Sequence, residues 1–186
     1  GGRSSSRAGV AAFTTSTGYG IAKYDNPEEL SVSDRNNIGY QYTDCPLYWI
    51  SVIYLNFAEA KAEMGSLTQD DLNNSINKLQ ARAGLPAMTT TPDADPANNM
   101  GVSNLIWEIR RCRRCELIMD NWYRYWDLIR WHQLDKLDST KYPNTMLGAN
   151  VSNVPDCEEA TKNGYIDASD AQIRTYEAKH YFYPIP

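Results

Sequence analysis

A mainly α fold, built of helical hairpins that carry long irregular loops, follows from three observations. Between Trp49 and about Leu134, apolar residues recur at three- and four-residue steps, the period of one helix face. Gly65, Thr68, Gly84 and Ser103 punctuate that stretch with the residue types that stop and start helices. On either side the periodicity fades, and Gly, Ser, Asn, Pro and Tyr take over.

The elements follow in chain order. Residues 1–48 are rich in Gly, Ser, Thr and Tyr and form an irregular, loop-rich segment, set apart from a helical region over 49–186. The first helix spans about Trp49 to Met64, with Ile50, Ile53, Tyr54, Phe57, Ala58 and Met64 in its pattern and Gly65 at the stop. Thr68 then caps a second helix, with Asp71 completing a capping box. Its stripe is Leu72, Ile76, Leu79 and Ala83, closed by Gly84 and Pro86. So short a connection makes the pair an antiparallel, tetratricopeptide-like hairpin.

A polar loop covers Pro86–Gly101. A third helix is expected from Ser103 to about Asp120, with Leu105, Ile109, Cys112 and Met119 on one face and Leu117 nearby. An aromatic helix follows from Trp122 to about Leu134. Residues 135–179 suit a long surface connection with a short helix near Asp156–Lys162. The closing His180–Pro186 stretch suits an extended segment docked on the body, since its prolines forbid a helix.

Composition narrows the function. The 186 residues hold 18 Lys+Arg against 23 Asp+Glu, a net charge of −5, which argues against a general nucleic-acid binder. A hydrophobic content of 42% excludes a disordered chain. No apolar run approaches the ~18–20 residues of a membrane span. There is no Gly-x-Ser-x-Gly elbow and no phosphate-cradling glycine loop, and acid pairs such as Glu158/Glu159 name no glycosidase site. No catalytic residue, metal site or cofactor is expected. Cys112-x-x-Cys115 lies inside a helix, and Cys45 and Cys157 are scattered. Inert thiols, a disulfide to Cys45 or Cys157, and metal or redox chemistry all remain open for them.

Two clusters carry the remaining chemistry. Residues 108–131 hold six Arg and four acids, a local +2 in an otherwise acidic chain. A structural ion-pair network, an anion or ligand site and a nucleic-acid patch are the readings in play. Within it Trp122–Trp131 holds five aromatics, with Arg124, Asp127 and Arg130 on one helix face and Trp122 and Trp126 on another. A packed core helix is one reading of that stretch and a sugar-stacking platform the other.

Four blocks in order give a family resemblance. Tyr54-Leu55-Asn56-Phe57-Ala58-Glu59-Ala60 matches a YLxxAEA core, and Ile76 to Pro86 matches INxxRxRAGLP. Arg113-Arg114-Cys115-Glu116-Leu117, Asp120, Arg124 and Asp127-Leu128-Ile129-Arg130-Trp131 follow ERRxELxxEGxRxxDLxRW, and Tyr183-Pro184-Ile185-Pro186 matches a closing YPIP. Together they resemble the C-terminal part of the SusD/RagB family. Cys112 stands where that family has Glu, and Asp120-Asn121 replaces its Glu-Gly.

The resemblance implies the C-terminal part of a SusD-like fold and a chain that is a piece of a longer protein. It implies a nutrient-binding lipoprotein of the Bacteroidetes, on the cell surface at the outer membrane, and not an enzyme. Such a protein captures an oligosaccharide, or in some members a peptide, for a SusC-type TonB-dependent channel in polysaccharide utilisation. Membrane attachment would be through a lipid anchor absent from this chain, with no cofactor and no nucleic acid. Arg113, Arg114, Glu116, Asp120, Arg124, Asp127 and Arg130 are then a structural cluster. Ligand contacts fall in variable loops, where chemistry alone nominates Tyr19, Tyr24, Tyr40, Tyr42 and Tyr142. The competing class is a helical protein-interaction module that holds a peptide partner in a groove.

Overall fold

The computed structural model describes residues 17–19, 23, 31, 33–34, 47–120, 122–154, 161–169 and 172–182. The chain divides into two compact units, one of residues 46–133 and one of residues 1–45 with 134–186.

The unit of residues 46–133 is helical. Its elements are α1 (Ile50–Glu63), α2 (Gln69–Asn73), α3 (Ile76–Arg82), α4 (Asn104–Glu116) and α5 (Tyr123–Arg130). Leu55 and Ala58 of α1, Leu72 of α2, Ile76 and Leu79 of α3, and Ile109 of α4 close one core with Met88 and Leu117. These are the positions that three- and four-residue spacing brings onto one face of each helix. Asn77 pins the loop after α3, its Oδ1 accepting from the Met88 N–H at 2.7 Å and its Nδ2 donating to the Met88 carbonyl at 3.1 Å.

Helix ends decide how this unit turns. At the end of α1, Gly65 takes φ +66°, and Ser66 N–H reaches back to the Lys61 carbonyl at 2.9 Å. Gly84 (φ +68°) closes α3 in the same way, with Leu85 N–H on the Gln80 carbonyl at 2.9 Å. Both are Schellman closures, in which a left-handed residue satisfies the last carbonyls. α5 ends alike, but with His132 at φ 53° in the glycine position and Gln133 N–H on the Leu128 carbonyl at 2.8 Å.

Three helix boundaries differ from the expectation. The helix expected over Thr68–Ala83 is two helices, α2 and α3, separated at Asn74 and Ser75. Ser75 Oγ donates to the Asp71 carbonyl at 2.5 Å and Asn74 Nδ2 to the Asp70 carbonyl at 2.9 Å. Such side chains compete with the backbone ladder, and Ser75 leaves helical geometry (φ −132°, ψ −98°). α4 ends at Glu116, short of Asp120. Beyond it Leu117 turns into the core, whereas Met119 takes φ 64° and stays 63% exposed rather than joining the buried face. α5 covers only Tyr123–Arg130 of the expected Trp122–Leu134, because left-handed residues Trp122 and His132 bracket it.

The unit of residues 1–45 with 134–186 holds a small sheet in the order β1-β3-β2: β1 (Leu147–Asn150), β2 (Thr161–Lys162) and β3 (Tyr165–Asp167). Both pairings are antiparallel. β2 and β3 are joined by Asn163-Gly164 at φ 55° and 81°, a two-residue hairpin whose twist suits the strands. The helix expected near Asp156–Lys162 is therefore corrected at its end, where Thr161–Lys162 is strand; residues 155–160 lie outside the described residues. The Ala149 N–H donates to the Thr17 carbonyl at 2.8 Å, and a Cβ on Gly148 would come within 2.3 Å of that same oxygen. Only glycine lets the Thr17 backbone sit so close to β1. Among the described residues of this unit, Leu134, Val151 and Ile166 are the buried apolar ones.

Within it, Asp138 ties separate segments together. Its Oδ1 accepts from Thr140 N–H and Oγ1, and its Oδ2 from Tyr176 N–H at 3.1 Å. Ala178–Tyr181 is a 3-10 turn, so His180 and Tyr181 are not extended as expected; residues 183–186 lie outside the described residues. Among the described residues no helix is long and apolar enough to cross a membrane.

The capping box of α2 can be tested directly. Thr68 Oγ1 accepts from Asp71 N–H at 3.1 Å, and Asp71 Oδ2 accepts from Thr68 N–H at 2.9 Å. Thr68→Ala is expected to lower unfolding free energy by about 1 kcal/mol in urea titrations. A Thr68→Asn variant, which keeps a cap acceptor, should recover most of it.

Candidate functional site

The strongest polar feature of the helical unit grows from the register of α1. Asn56, Glu59 and Glu63 recur at helical spacing and meet arginines from α4 and α5. Glu59 is buried, 3% exposed, and each of its oxygens is bound. Oε1 accepts from Arg110 Nε at 3.0 Å and from the Trp131 indole N–H at 2.7 Å; Oε2 accepts from Arg130 Nη2 at 2.5 Å. Arg130 Nε continues to Asp127 Oδ1 at 2.9 Å, and Arg113 Nε closes on Asp127 Oδ2 at 2.7 Å. Arg113 Nη1 donates to Asn56 Oδ1 at 2.8 Å, and Arg110 Nη2 to Glu63 Oε1 at 3.0 Å. The Arg110 and Arg130 guanidinium carbons each lie 4.6 Å from the Trp131 ring centroid.

The charges in this network stabilise one another. Burial pushes the Glu59 carboxyl up, but the Arg130 hydrogen bond and charge, the Trp131 indole and the Arg110 charge outweigh it and hold it below the usual range. Burial likewise opposes the charge on Arg130, and Glu59 and Asp127 overcome it, raising its pKa. Fixed donors around a buried carboxylate leave it little freedom to protonate or move. The arrangement is a clamp across three helices.

The seven residues of the sequence-derived cluster are not all in this clamp. Arg113, Asp127 and Arg130 are in it. Glu116 pairs instead with Arg82, whose Nη2 reaches both carboxylate oxygens at 2.7 and 2.6 Å. Asp120 is buried in the turn between α4 and α5, its N–H on the Leu117 carbonyl at 3.2 Å. Arg114 is exposed and Arg124 half-buried, and among the described residues no acid pairs with either. Sequence reasoning missed Asn56, Glu59, Glu63, Arg110 and Trp131 as members of the clamp. One signal was there for Glu59, an acid beside Ala58 and four residues after Leu55 on the apolar stripe of α1.

Of the nominated tyrosines, Tyr24, Tyr40 and Tyr42 lie outside the described residues. Tyr19 is 63% exposed. Tyr142 is half-buried beneath Lys136, whose Nζ lies 5.6 Å from its ring. No hydrogen bond or ring contact joins Tyr19 to Tyr142. In the helical unit Trp122 is 81% exposed and Trp126 50%. A groove of about 420 Å³ opens beside the loop after α3, lined by Leu85, Pro86, Met88, Thr91, Glu108 and Arg111 among others. Its one ion pair is Arg111 Nη2 on Glu108 Oε2 at 2.6 Å.

Cys112 offers little reactivity. Burial, reinforced by Glu116 and Cys115, pushes the Cys112 thiol up to about 11, so it is not a thiolate at neutral pH. Cys112 and Cys115 are free thiols, and Cys45 and Cys157 lie outside the described residues. Among the described residues no group of three His, Cys, Asp or Glu side chains can hold a metal ion.

Comparison with known protein families gives a match over nearly the whole chain. The sequence model of the SusD family fits residues 2–186. No curated protein and no solved structure matches the chain.

Two measurements check the electrostatics. Asp127→Ala leaves Arg113, 4% exposed, without its carboxylate. The expected loss is about 2–4 kcal/mol in urea unfolding, and a loss below ~0.5 kcal/mol would mark a solvated pair. The second uses acid. Hydrogen bonds from Thr140 and from Tyr176 N–H hold Asp138 at about 2, and Lys61 with Thr68 holds Asp71 at about 2, both from 3.8. Folded values below the unfolded ones mean that this stabilisation is complete above about pH 4 and is lost as pH falls through about 2. Melting temperature should fall across that window, and Asp138→Asn should fall less steeply.

Proposed function

The chain belongs to the SusD family, and from that premise we propose that it captures an oligosaccharide at the cell surface and delivers it to a SusC-type, TonB-dependent outer-membrane channel. Members of this family are nutrient-binding outer-membrane lipoproteins, and they bind their ligands without transforming them. The family match is the observation that carries the reading. The clamp is consistent with it: its charges are satisfied within the protein, and it fixes a scaffold on which loops present ligand-binding side chains.

The ligand contacts belong to aromatic residues of the loops. A pyranose offers an apolar C–H face to an aromatic ring and a rim of hydroxyls to nearby polar groups. Tyr19, exposed, and Tyr142, with Lys136 over its ring, have that character. Tyr24, Tyr40 and Tyr42 are proposed alongside them by chemistry alone. The intact protein is held to the outer membrane by a lipid anchor.

One observation favours a peptide as the nutrient, or a protein partner. α1 turns Ile50, Ile53, Phe57 and Met64 to solvent, 62%, 60%, 43% and 70% exposed, in a row at helical spacing. A glycan array followed by calorimetry on the intact protein separates the two readings. Oligosaccharide binding at Kd between about 1 μM and 1 mM, with no release of reducing ends, is the expected result. A silent array together with capture of a defined peptide would move the function to peptide binding. Reducing-end release abolished by a carboxylate variant would make the protein an enzyme and end the proposal.

A further inference from the structure

The loop between α3 and α4 is fastened at both ends. At Met88 the carbonyl accepts from Asn77 Nδ2 at 3.1 Å and Gln69 Nε2 at 3.0 Å, and the N–H donates to Asn77 Oδ1 at 2.7 Å. Nearer α4, Asp95 Oδ2 accepts from the Trp107 indole N–H at 3.1 Å, and Asn98 Nδ2 donates to the Val102 carbonyl at 2.9 Å. The groove of about 420 Å³ beside this loop is therefore pre-formed, and its volume falls within the ~300–1,000 Å³ of small-molecule sites. Arg111 and Glu108 of α4 line it, joined through Glu108 Oε2 to Arg111 Nε at 2.9 Å and Nη2 at 2.6 Å. Among the described residues Glu108 Oε1 and Arg111 Nη1 take no hydrogen bond, so the pair keeps an acceptor and a donor side by side. Gln80, Thr89, Thr91 and Asp93 add further side-chain donors and acceptors, none of them bonded to another described residue.

We propose that this groove binds a saccharide, with Arg111 and Glu108 holding a vicinal diol. Arg111 Nη1 donates to one hydroxyl oxygen, and Glu108 Oε1 accepts from the next hydroxyl. Bonds to ionised partners are about twice as strong as neutral ones, which suits a ligand that must be taken from water. The pair is neutral as a unit and Asp93 adds a negative charge, so the groove has no surplus positive charge for an anion. Along the loop Pro86, Met88 and Pro92 are interleaved with Thr89, Thr91 and Asp93. A sugar presents that same mixture of C–H surface and hydroxyls, whereas a peptide side chain buries itself in a continuous apolar one. Neither Tyr19 nor Tyr142 lines the groove, so it adds a site to the contacts proposed for them. The choice of a saccharide rests on the nutrient-binding reading above; the groove as a ligand site does not.

Amide chemical shifts of the isotope-labelled full chain test this. The probes are mannotriose and xylotriose, which present cis and trans vicinal hydroxyls, with trialanine as the peptide control. At least one trisaccharide should move the amides of Thr89, Thr91, Glu108 and Arg111 and saturate in the millimolar range. Arg111→Gln and Glu108→Gln should each weaken that binding about tenfold or more, the loss of one hydrogen bond to a charged group. Thr91→Val, on the exposed loop, should weaken it severalfold without touching a helix. Arg82→Gln, at an exposed pair that does not line the groove, should bind as the parent does. Amides unmoved by both trisaccharides, or Arg111→Gln binding as tightly as the parent, would overturn the proposal. Groove shifts with trialanine alone would also overturn it and assign the groove to peptides. A glycan found on the array that leaves these amides unmoved would end the groove site and keep the nutrient-binding reading. A trisaccharide that moves them beside a silent array would keep the groove site and remove the capture of longer oligosaccharides.

Discussion

The buried carboxylate of Glu59 organises the helical unit. An ionised group so poor in water is tolerable only if fixed donors replace its hydration, and three do: Arg110 from α4, Arg130 from the last turn of α5 and the indole of Trp131 just after it. Each donor comes from outside α1, so the carboxylate cannot be satisfied unless α1, α4 and α5 are all in place. The interaction is weak as a source of net stability and strong as a condition on geometry. The apolar core of Leu55, Leu72, Ile76 and Ile109 supplies the driving force, and Glu59 with Asp127 specifies where α5 must lie.

The turn between α4 and α5 is shaped by the same requirement. Arg113 and Asp127 are fourteen residues apart and meet at 2.7 Å, which forces the chain to reverse between them. It does so with two non-glycine residues in the left-handed region, Met119 and Trp122, and a third, His132, closes α5. Each such residue costs on the order of 1 kcal/mol, an amount that the buried pairs and the Leu117 and Leu128 side chains offset. Trp122 and Met119 stand in solvent as a consequence of this reversal.

A scaffold fixed in this way suits the nutrient-binding family to which the chain belongs. The clamp satisfies its charges internally. Arg114 and Arg124 share the helices of the clamp, but among the described residues neither forms an ion pair with its carboxylates. The 420 Å³ groove at the loop after α3 is a further concave surface, lined by both apolar and charged groups.

Local chemistry was legible in the linear chain. Gly65 and Gly84 as helix stops, Thr68 with Asp71 as a capping box, and the Leu72, Ile76 and Leu79 stripe of α2 and α3 all depend on residues within a few positions of one another. The stripe read for α1 was misplaced: Ile50, Ile53, Phe57 and Met64 face solvent, and Leu55 with Ala58 faces the core. The blocks that mark the family were readable for the same reason. Departures arose where a local rule met a competing bond: Ser75 and Asn74 broke a helix by taking its carbonyls, and the Asn163-Gly164 hairpin was passed over because its strands are only two and three residues long. The partners of the charged residues were out of reach. Glu59 and Trp131 are 72 positions apart, and Glu116 finds Arg82 across 34. Ten charges between residues 108 and 131 permit many pairings, and sequence spacing ranks only those within one helix. Which arginine is neutralised and which is left over is set by how three helices pack, because an ion pair forms only where packing brings both ends within about 4 Å of each other.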